Sequence, residues 1–164
     1  MKTLLFFRHA KSDWNAAFGH DHERPINKRG RRDARIMGRF LSEIGDLPDR
    51  IVTSSAVRAC STLELAMDEG EWGDIPVEKT DRLYEASEDD VLHVIREQPD
   101  ACDCLMLVGH EPTWSSMLGR LSGKANVRVS TATMARIDFD VPSWKAVAFG
   151  RGQFCWLVPP KLHR

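Results

Sequence analysis

The chain has 164 residues, 42% hydrophobic and 29% charged, with 23 basic against 24 acidic side chains and a formal net charge of −1. That length suits a single domain over residues 1–164 with a sizeable core, and the charge balance excludes bulk attraction to nucleic acid or an anionic membrane. No apolar run reaches a membrane span, and Arg8 ends the N-terminal one too early for a signal peptide, so a cytoplasmic, monomeric protein is expected. Cys60, Cys102, Cys104 and Cys155 fit that compartment as reduced thiols. Cys102-Asp103-Cys104 has the wrong spacing for a C-x-x-C zinc or redox motif.

In chain order, Thr3–Phe7 is an apolar run of the kind found in buried parallel strands. The basic cluster Lys28-Arg29-Gly30-Arg31-Arg32 is expected to be a solvated helix face, with docking of an acidic partner as the alternative. A helix is predicted over 31–44, with Met37, Phe40, Leu41 and Ile44 facing inward and Gly45 at its C-terminal cap. Arg50–Thr53 follows as a strand, and Ser54-Ser55 are expected to cap a helix with Leu63, Ala66 and Met67 inside. Pro76-Val77-Glu78 reads as a short strand. Ser87-x-x-Asp90 is a capping box opening a helix with Val91, Leu92 and Ile95 inward.

Leu105–Val108 is a second buried strand, leading through Gly109-His110-Glu111 to Pro112 and a helix carrying Trp114, Met117, Leu118 and Leu121. Strands are predicted at Ala135–Phe139 and Phe154–Val158, with Trp144–Phe149 as a third. Alternating β and α elements with a β-rich tail predict an α/β protein, a three-layer α/β/α sandwich on a mostly parallel sheet. Ligands bind outside the carboxyl ends of such strands.

Three of those ends carry chemistry. Arg8-His9 terminates the first strand; a guanidinium binds phosphate oxygens bidentately, and a neutral imidazole can attack phosphorus if its other nitrogen holds the proton. His110 follows the second buried strand, beside a glycine that permits a sharp turn and a helix N-terminus whose amides favour negative charge. Its bland alternative is a core histidine satisfied by a carbonyl. Arg58 falls in the first turn of a helix, against the dipole preference, which an anion explains better than helix stability does.

These phrases, Arg8-His9-Ala10, then Ser54 through Arg58 to Thr62 with the pattern S-x-x-x-R-x-x-x-T, then Gly109-His110, resemble the histidine phosphatase superfamily with its phosphoglycerate-mutase-like fold. The short length and Arg24-Pro25-Ile26-Asn27-Lys28-Arg29-Gly30 resemble its small phosphohistidine phosphatase branch. Ala10 departs from the glycine common in larger relatives. The resemblance implies His9 as nucleophile, Arg8, Arg58 and His110 as holders of the phosphoryl oxygens, and Arg24 as an additional ligand. Arg24 alternatively forms a surface ion pair with Glu23 or Asp21. Glu85 sits where relatives carry the acid that protonates an alkoxide leaving group, or it caps the following helix.

Three arginines supply positive charge without metal or other cofactor. His20-Asp21-His22 has two ligands at strand spacing but no strand pattern and no third ligand, so no metal site is expected. Asn15 is read as turn-forming, with a reach into the pocket as the alternative, and Trp14, Phe18 and Trp72 as packing residues, with lining the approach to the site as the alternative. The implied activity is a metal-independent phosphatase acting through phosphohistidine on a phosphorylated protein, such as a histidine phosphotransfer protein. A small phosphorylated metabolite is the enzymatic alternative, and a phosphate-binding module without turnover is the alternative from another class.

Overall fold

The computed structural model describes residues 1–164. Six strands form one sheet in the order β3-β2-β4-β1-β5-β6. They are β1 (Lys2–Arg8), β2 (Arg50–Ser54), β3 (Val77–Thr80), β4 (Cys104–Gly109), β5 (Met134–Phe139) and β6 (Gln153–Val158). The pairings of β3 with β2, β2 with β4 and β4 with β1 are parallel, whereas β5 runs antiparallel to both β1 and β6. Four helices complete the chain, α1 (Lys28–Ile44), α2 (Val57–Glu69), α3 (Glu88–Arg96) and α4 (Thr113–Leu121).

The strand pleat creates the three layers. Leu5, Phe7, Ile51, Met106 and Val108 face α1 and α2, while Leu4, Phe6, Val52, Leu105 and Leu107 face α3 and α4. Because β1 and β4 are apolar on both faces, they occupy the centre of the sheet. The chain leaves β1 toward α1 on one face and leaves β4 toward α4 on the other. Neighbouring strands whose connections diverge in this way open a crevice at their carboxyl ends. Arg8 pairs with Gly109 there, placing His9 and His110 on either side of the opening. No helix is long and apolar enough to cross a membrane.

Several local expectations change. Helix α1 starts at Lys28 rather than Arg31, because the Asn27 side chain accepts a hydrogen bond from the Gly30 amide at 2.8 Å. Gly45 closes it in a left-handed conformation as expected, but Ile44 is 44% exposed and not part of the core. The predicted strand at Trp144–Phe149 does not form. Residues Trp144–Ala146 make a 3-10 turn instead, with Trp144 fully buried and its indole N–H donating to the Cys102 carbonyl at 2.7 Å. The side chains of Ser54 and Ser55 do not cap α2; Ala56 takes the N-cap position. The basic cluster at the start of α1 is exposed apart from Gly30. Within it Arg29 and Arg32 each lie 3.7 Å from buried Asp33, which also pairs with Arg164 at 2.8 Å.

Gly30 fixes the entry to the site. A Cβ built on it would lie 2.4 Å from the Lys11 carbonyl oxygen, so only glycine lets α1 pack against the segment after His9. The same Lys11 carbonyl accepts the Asn27 amide at 2.9 Å. Gly30→Ala is therefore expected to destabilise the fold by about 1–3 kcal/mol through overpacking, measured as a lower urea midpoint at unchanged m-value.

Candidate active site

The first strand end delivers a histidine with one defined tautomer. His9 is 7% exposed, and its Nδ1 lies 2.7 Å from the Ala10 carbonyl oxygen. A carbonyl only accepts, so Nδ1 carries the proton and Nε2 keeps its lone pair. The supporting shell holds that carbonyl in place. The His9 amide donates to the Gly109 carbonyl at 3.0 Å, and the Ala10 amide donates to Thr62 Oγ1 at 2.9 Å. Thr62 donates in turn to the Arg58 carbonyl at 2.6 Å, joining α2 to the loop after β1.

His110 comes 5.2 Å from His9, measured between ring centroids. Its Nε2 lies 2.8 Å from Ser54 Oγ. The Ser54 oxygen also accepts the Ala56 amide at 3.2 Å, and its hydroxyl can donate to Nε2. In that arrangement the His110 proton sits on Nδ1, which is buried and has no protein partner. The carbonyl-satisfied core histidine is thus not what the chain builds. Gly109 serves packing rather than a turn: a Cβ there would fall 2.5 Å from the Trp114 ring. At the α4 N-terminus the Glu111 carboxylate already accepts the Ser115 amide at 2.7 Å.

Three arginines surround the two rings. Arg8 donates to the Val129 carbonyl at 2.9 Å. Arg58 donates to the Asp21 carbonyl at 2.8 Å and to Asp21 Oδ2 at 2.9 Å, and Arg24 reaches Asp21 Oδ1 at 2.9 Å. The Arg24–Asp21 ion pair therefore exists, but Arg24 is only 5% exposed and lies on the pocket wall with Arg8, His9, Arg58 and His110. The four buried side-chain atoms lacking a hydrogen-bond partner are Nε of Arg8, Arg24 and Arg58 and Nδ1 of His110. Every one belongs to this site. Buried donors left unpaired by the protein are what an oxyanion ligand would satisfy.

The electrostatics keep both histidines neutral. Burial, then His110, Arg58 and Arg8, push the His9 pKa down to about 3, against the opposing Ala10 bond. Burial, with Arg58 and Arg8, pushes His110 down to about 4 although Asp21 opposes it. An unprotonated His9 at neutral pH is competent to attack phosphorus, and His110 is competent to donate a hydrogen bond.

Glu85 is exposed, lies in the left-handed region at φ 53° and borders a cavity of about 500 Å³ with Arg58 and His110. It does not cap α3, since Ser87 and Asp90 form the predicted capping box. Trp14 is 66% exposed and stacks on the Arg24 guanidinium 3.6 Å from the ring centroid, with Phe18 beside it. Trp72 is core, donating to the Gly38 carbonyl. Asn15 forms a turn through its amide and Asp13. His22 bonds Ser55 Oγ at 2.8 Å, and no group of three His, Cys, Asp or Glu side chains is placed to hold a metal ion.

Sequence reasoning saw Asp21 only as an ion-pair partner for Arg24, and missed its bonds to Arg58 and Tyr84 and the true use of Ser54. Asp21 joins Arg24, Arg58 and the Tyr84 hydroxyl, which donates to Oδ2 at 2.7 Å. Burial raises the Asp21 carboxyl, but the bonds from Tyr84 and Arg58 outweigh it and hold it below its ordinary value. Nothing in the spacing of residues 21, 58 and 84 announces this meeting; three separate elements bring it about.

The fold and this cationic crevice suit the binding of a phosphoryl group. Residues 4–97 match the model of the histidine phosphatase superfamily, branch 1, and the chain belongs to that superfamily as a phosphatase. An uncharacterized protein of Mycobacterium leprae is 34% identical over 132 residues, covering 76% of this chain and 79% of its own. The solved structure of the protein histidine phosphatase SixA complexed with tungstate superposes with a TM-score of 0.84 at 21% identity, covering 99% of both chains. A mycobacterial glucosyl-3-phosphoglycerate phosphatase gives a TM-score of 0.68 at 14% identity, covering 94% of this chain and 97% of its own. At those identities the two structures establish a shared fold.

The depressed histidines make stability depend on pH with a definite sign. Unfolded histidine protonates near 6.5, whereas His9 and His110 in the folded chain do so only near 3 and 4. Between those values the unfolded state binds more protons, so stability is full above about pH 7 and is lost as pH falls toward 4. Each site contributes a slope of about 1.4 kcal/mol per pH unit. The double variant His9→Asn, His110→Asn should show a flatter loss of melting temperature between pH 6.5 and 4.5 than the wild type.

Proposed function

We propose that this phosphatase works through a phosphohistidine on His9 and that its substrate is phosphohistidine on another protein. The observation that carries the reading is the locked tautomer of His9, with Nδ1–H tied to the Ala10 carbonyl and Nε2 left free among three arginines. Support for a protein substrate comes from the short chain. It matches SixA, named a protein histidine phosphatase, over nearly its full length, and the site opens at the strand ends where a side chain can enter.

In the first step Nε2 bonds to phosphorus while the bond to the leaving nitrogen breaks, and that nitrogen keeps the electron pair. A phosphoimidazole protonated on its distal nitrogen departs as neutral imidazole and needs no enzymatic acid. Water then attacks phosphorus, the bond to Nε2 breaks, and His9 returns with its proton still on Nδ1. Arg8, Arg24 and Arg58 would bind the phosphoryl oxygens, and Nδ1–H of His110, held by Ser54, would donate to the oxygen on which charge accumulates. A binder without turnover has no use for a lone pair held in this way.

Ester hydrolysis is the second reading, favoured by the position of Glu85 on the cavity wall. An alkoxide is a poor leaving group, and a positioned acid is worth about 10²–10⁴-fold.

A histidine phosphotransfer protein labelled on its phosphohistidine should lose label with wild-type enzyme; retention of label at every pH tested would remove the protein-substrate claim. His9→Ala should eliminate both turnover and an acid-labile phosphoenzyme, and His110→Ala should lower kcat by about 10²–10³-fold. Ser54→Ala, which frees the His110 tautomer, should cost about 10-fold in kcat, equivalent to roughly 1.4 kcal/mol, with little change in KM. Glu85→Gln should depress ester hydrolysis while leaving phosphohistidine cleavage nearly intact; equal effects on both bonds would show that Glu85 is not an ester-specific acid.

A further inference from the structure

The cleft has two adjoining parts of opposite charge. The phosphate side, about 220 Å³, is walled by Arg8, Lys11, Arg24 and Arg58 with one carboxylate, Glu111. The neighbouring cavity, about 500 Å³, is walled by Asp21, Glu85, Glu88 and Glu111, and its one cation is Arg58. Arg58, His110 and Glu111 belong to both, so the two parts meet at the reacting centre. Arg58 is 6% exposed, with an unpartnered Nε at that junction. A phosphoryl group seated in the cationic part therefore directs the rest of its substrate toward the carboxylates.

Three of those carboxylates are fixed by hydrogen bonds, and Glu85 is exposed. Glu88 accepts from the Ser116 hydroxyl, and the bonds to Ser116 and to its own backbone amide hold its carboxyl below the ordinary range. Glu111 is clamped by the Ser115 amide and hydroxyl, and Asp21 by Arg24, Arg58 and Tyr84. Oriented negative charge beside a low-dielectric wall favours a cation and penalises a second anion on the same substrate.

We propose that this acidic cavity is a leaving-group subsite selective for positive charge: it takes an N-phosphorylated base within a cationic peptide and rejects substrates that carry a second phosphate or carboxylate beside the scissile bond. The proposal rests on the phosphohistidine phosphatase reading, in which the phosphoryl group seats among the arginines. The chemistry balances without a further reactant. A phosphoimidazole protonated on its distal nitrogen gives up its phosphoryl group to His9 and leaves as the neutral base with that proton retained, which then takes a second proton from solvent while the carboxylates hold it and its cationic neighbours. A substrate with a second anion would bring like charge against Asp21, Glu85 and Glu88.

The test uses three short peptides of equal length, each phosphorylated on one histidine, with Lys, Ala or Asp on both flanks. The P–N bond is the same in all three, so only charge in the subsite varies. The expected order of kcat/KM is Lys, then Ala, then Asp, with at least a 10-fold spread at low ionic strength that narrows in high salt. Glu88→Gln should shrink the spread at least 3-fold. Equal rates for the three peptides, or fastest cleavage of the Asp peptide, would overturn the subsite while leaving the phosphohistidine phosphatase reading intact. A spread that Glu88→Gln leaves unchanged would overturn the assignment of selectivity to this cavity. If none of the three is cleaved, both the substrate reading and the subsite built on it fail.

Discussion

One hydrogen bond, from His9 Nδ1 to the carbonyl of the next residue, decides which ring nitrogen faces the phosphate side of the cleft. The rest of the site is arranged to keep that bond made. Thr62 secures Ala10 from α2, the His9 amide is tied to Gly109 on the neighbouring strand, and Gly30 lets α1 press against Lys11 without a side chain in the way. Two helices and a neighbouring strand thus converge on the segment from His9 to Lys11. Burial then removes the competing protonated state, because charging a ring enclosed beside the Arg58 and Arg8 guanidiniums is costly.

The same enclosure imposes the opposite demand on the arginines, which must stay charged with little water around them. Asp21 meets it by serving two of them at once, with Tyr84 completing its hydrogen bonds. One nitrogen on each guanidinium is still left without a protein acceptor. The balance is one carboxylate against two cations, enough to hold the arginines in place and too little to neutralise them. Beyond the junction at Arg58 the sign reverses, and the carboxylates of Asp21, Glu85, Glu88 and Glu111 dominate. A substrate crossing that junction experiences a field gradient along its scissile bond, which can orient it before any specific contact is made.

The strand ends were legible because buried parallel strands leave an unmistakable mark: Thr3–Phe7 and Leu105–Val108 are apolar on both faces, and the residues directly after them must lie at the rim. The three-layer order came from the alternation of those strands with amphipathic helices. His9, Arg8, Arg58 and His110 meet because each lies at, or close after, such an end. The features that stayed hidden depend on contacts between distant elements. Asp21 lies in a 3-10 turn with no periodicity, and its partners come from α1's approach, from α2 and from the segment after β3. Ser54 looked like a helix cap because Ser before a helix usually is one; here its hydroxyl bonds His110, 56 residues away in sequence, while also accepting the Ala56 amide. Trp144 has the β-propensity of a strand residue, but burial of its ring under the Cys102 carbonyl selected a turn.

The chemistry depends on His9 being neutral at working pH with its proton on Nδ1. Nitrogen NMR of histidine-labelled protein reports the protonation of each ring nitrogen directly as pH is lowered from 8 to 5. The His9 signals, assigned by their loss in His9→Asn, should keep Nδ1 protonated and Nε2 bare throughout that range. Titration of His9 near 6.5, or a proton resident on Nε2 at pH 7, would contradict it.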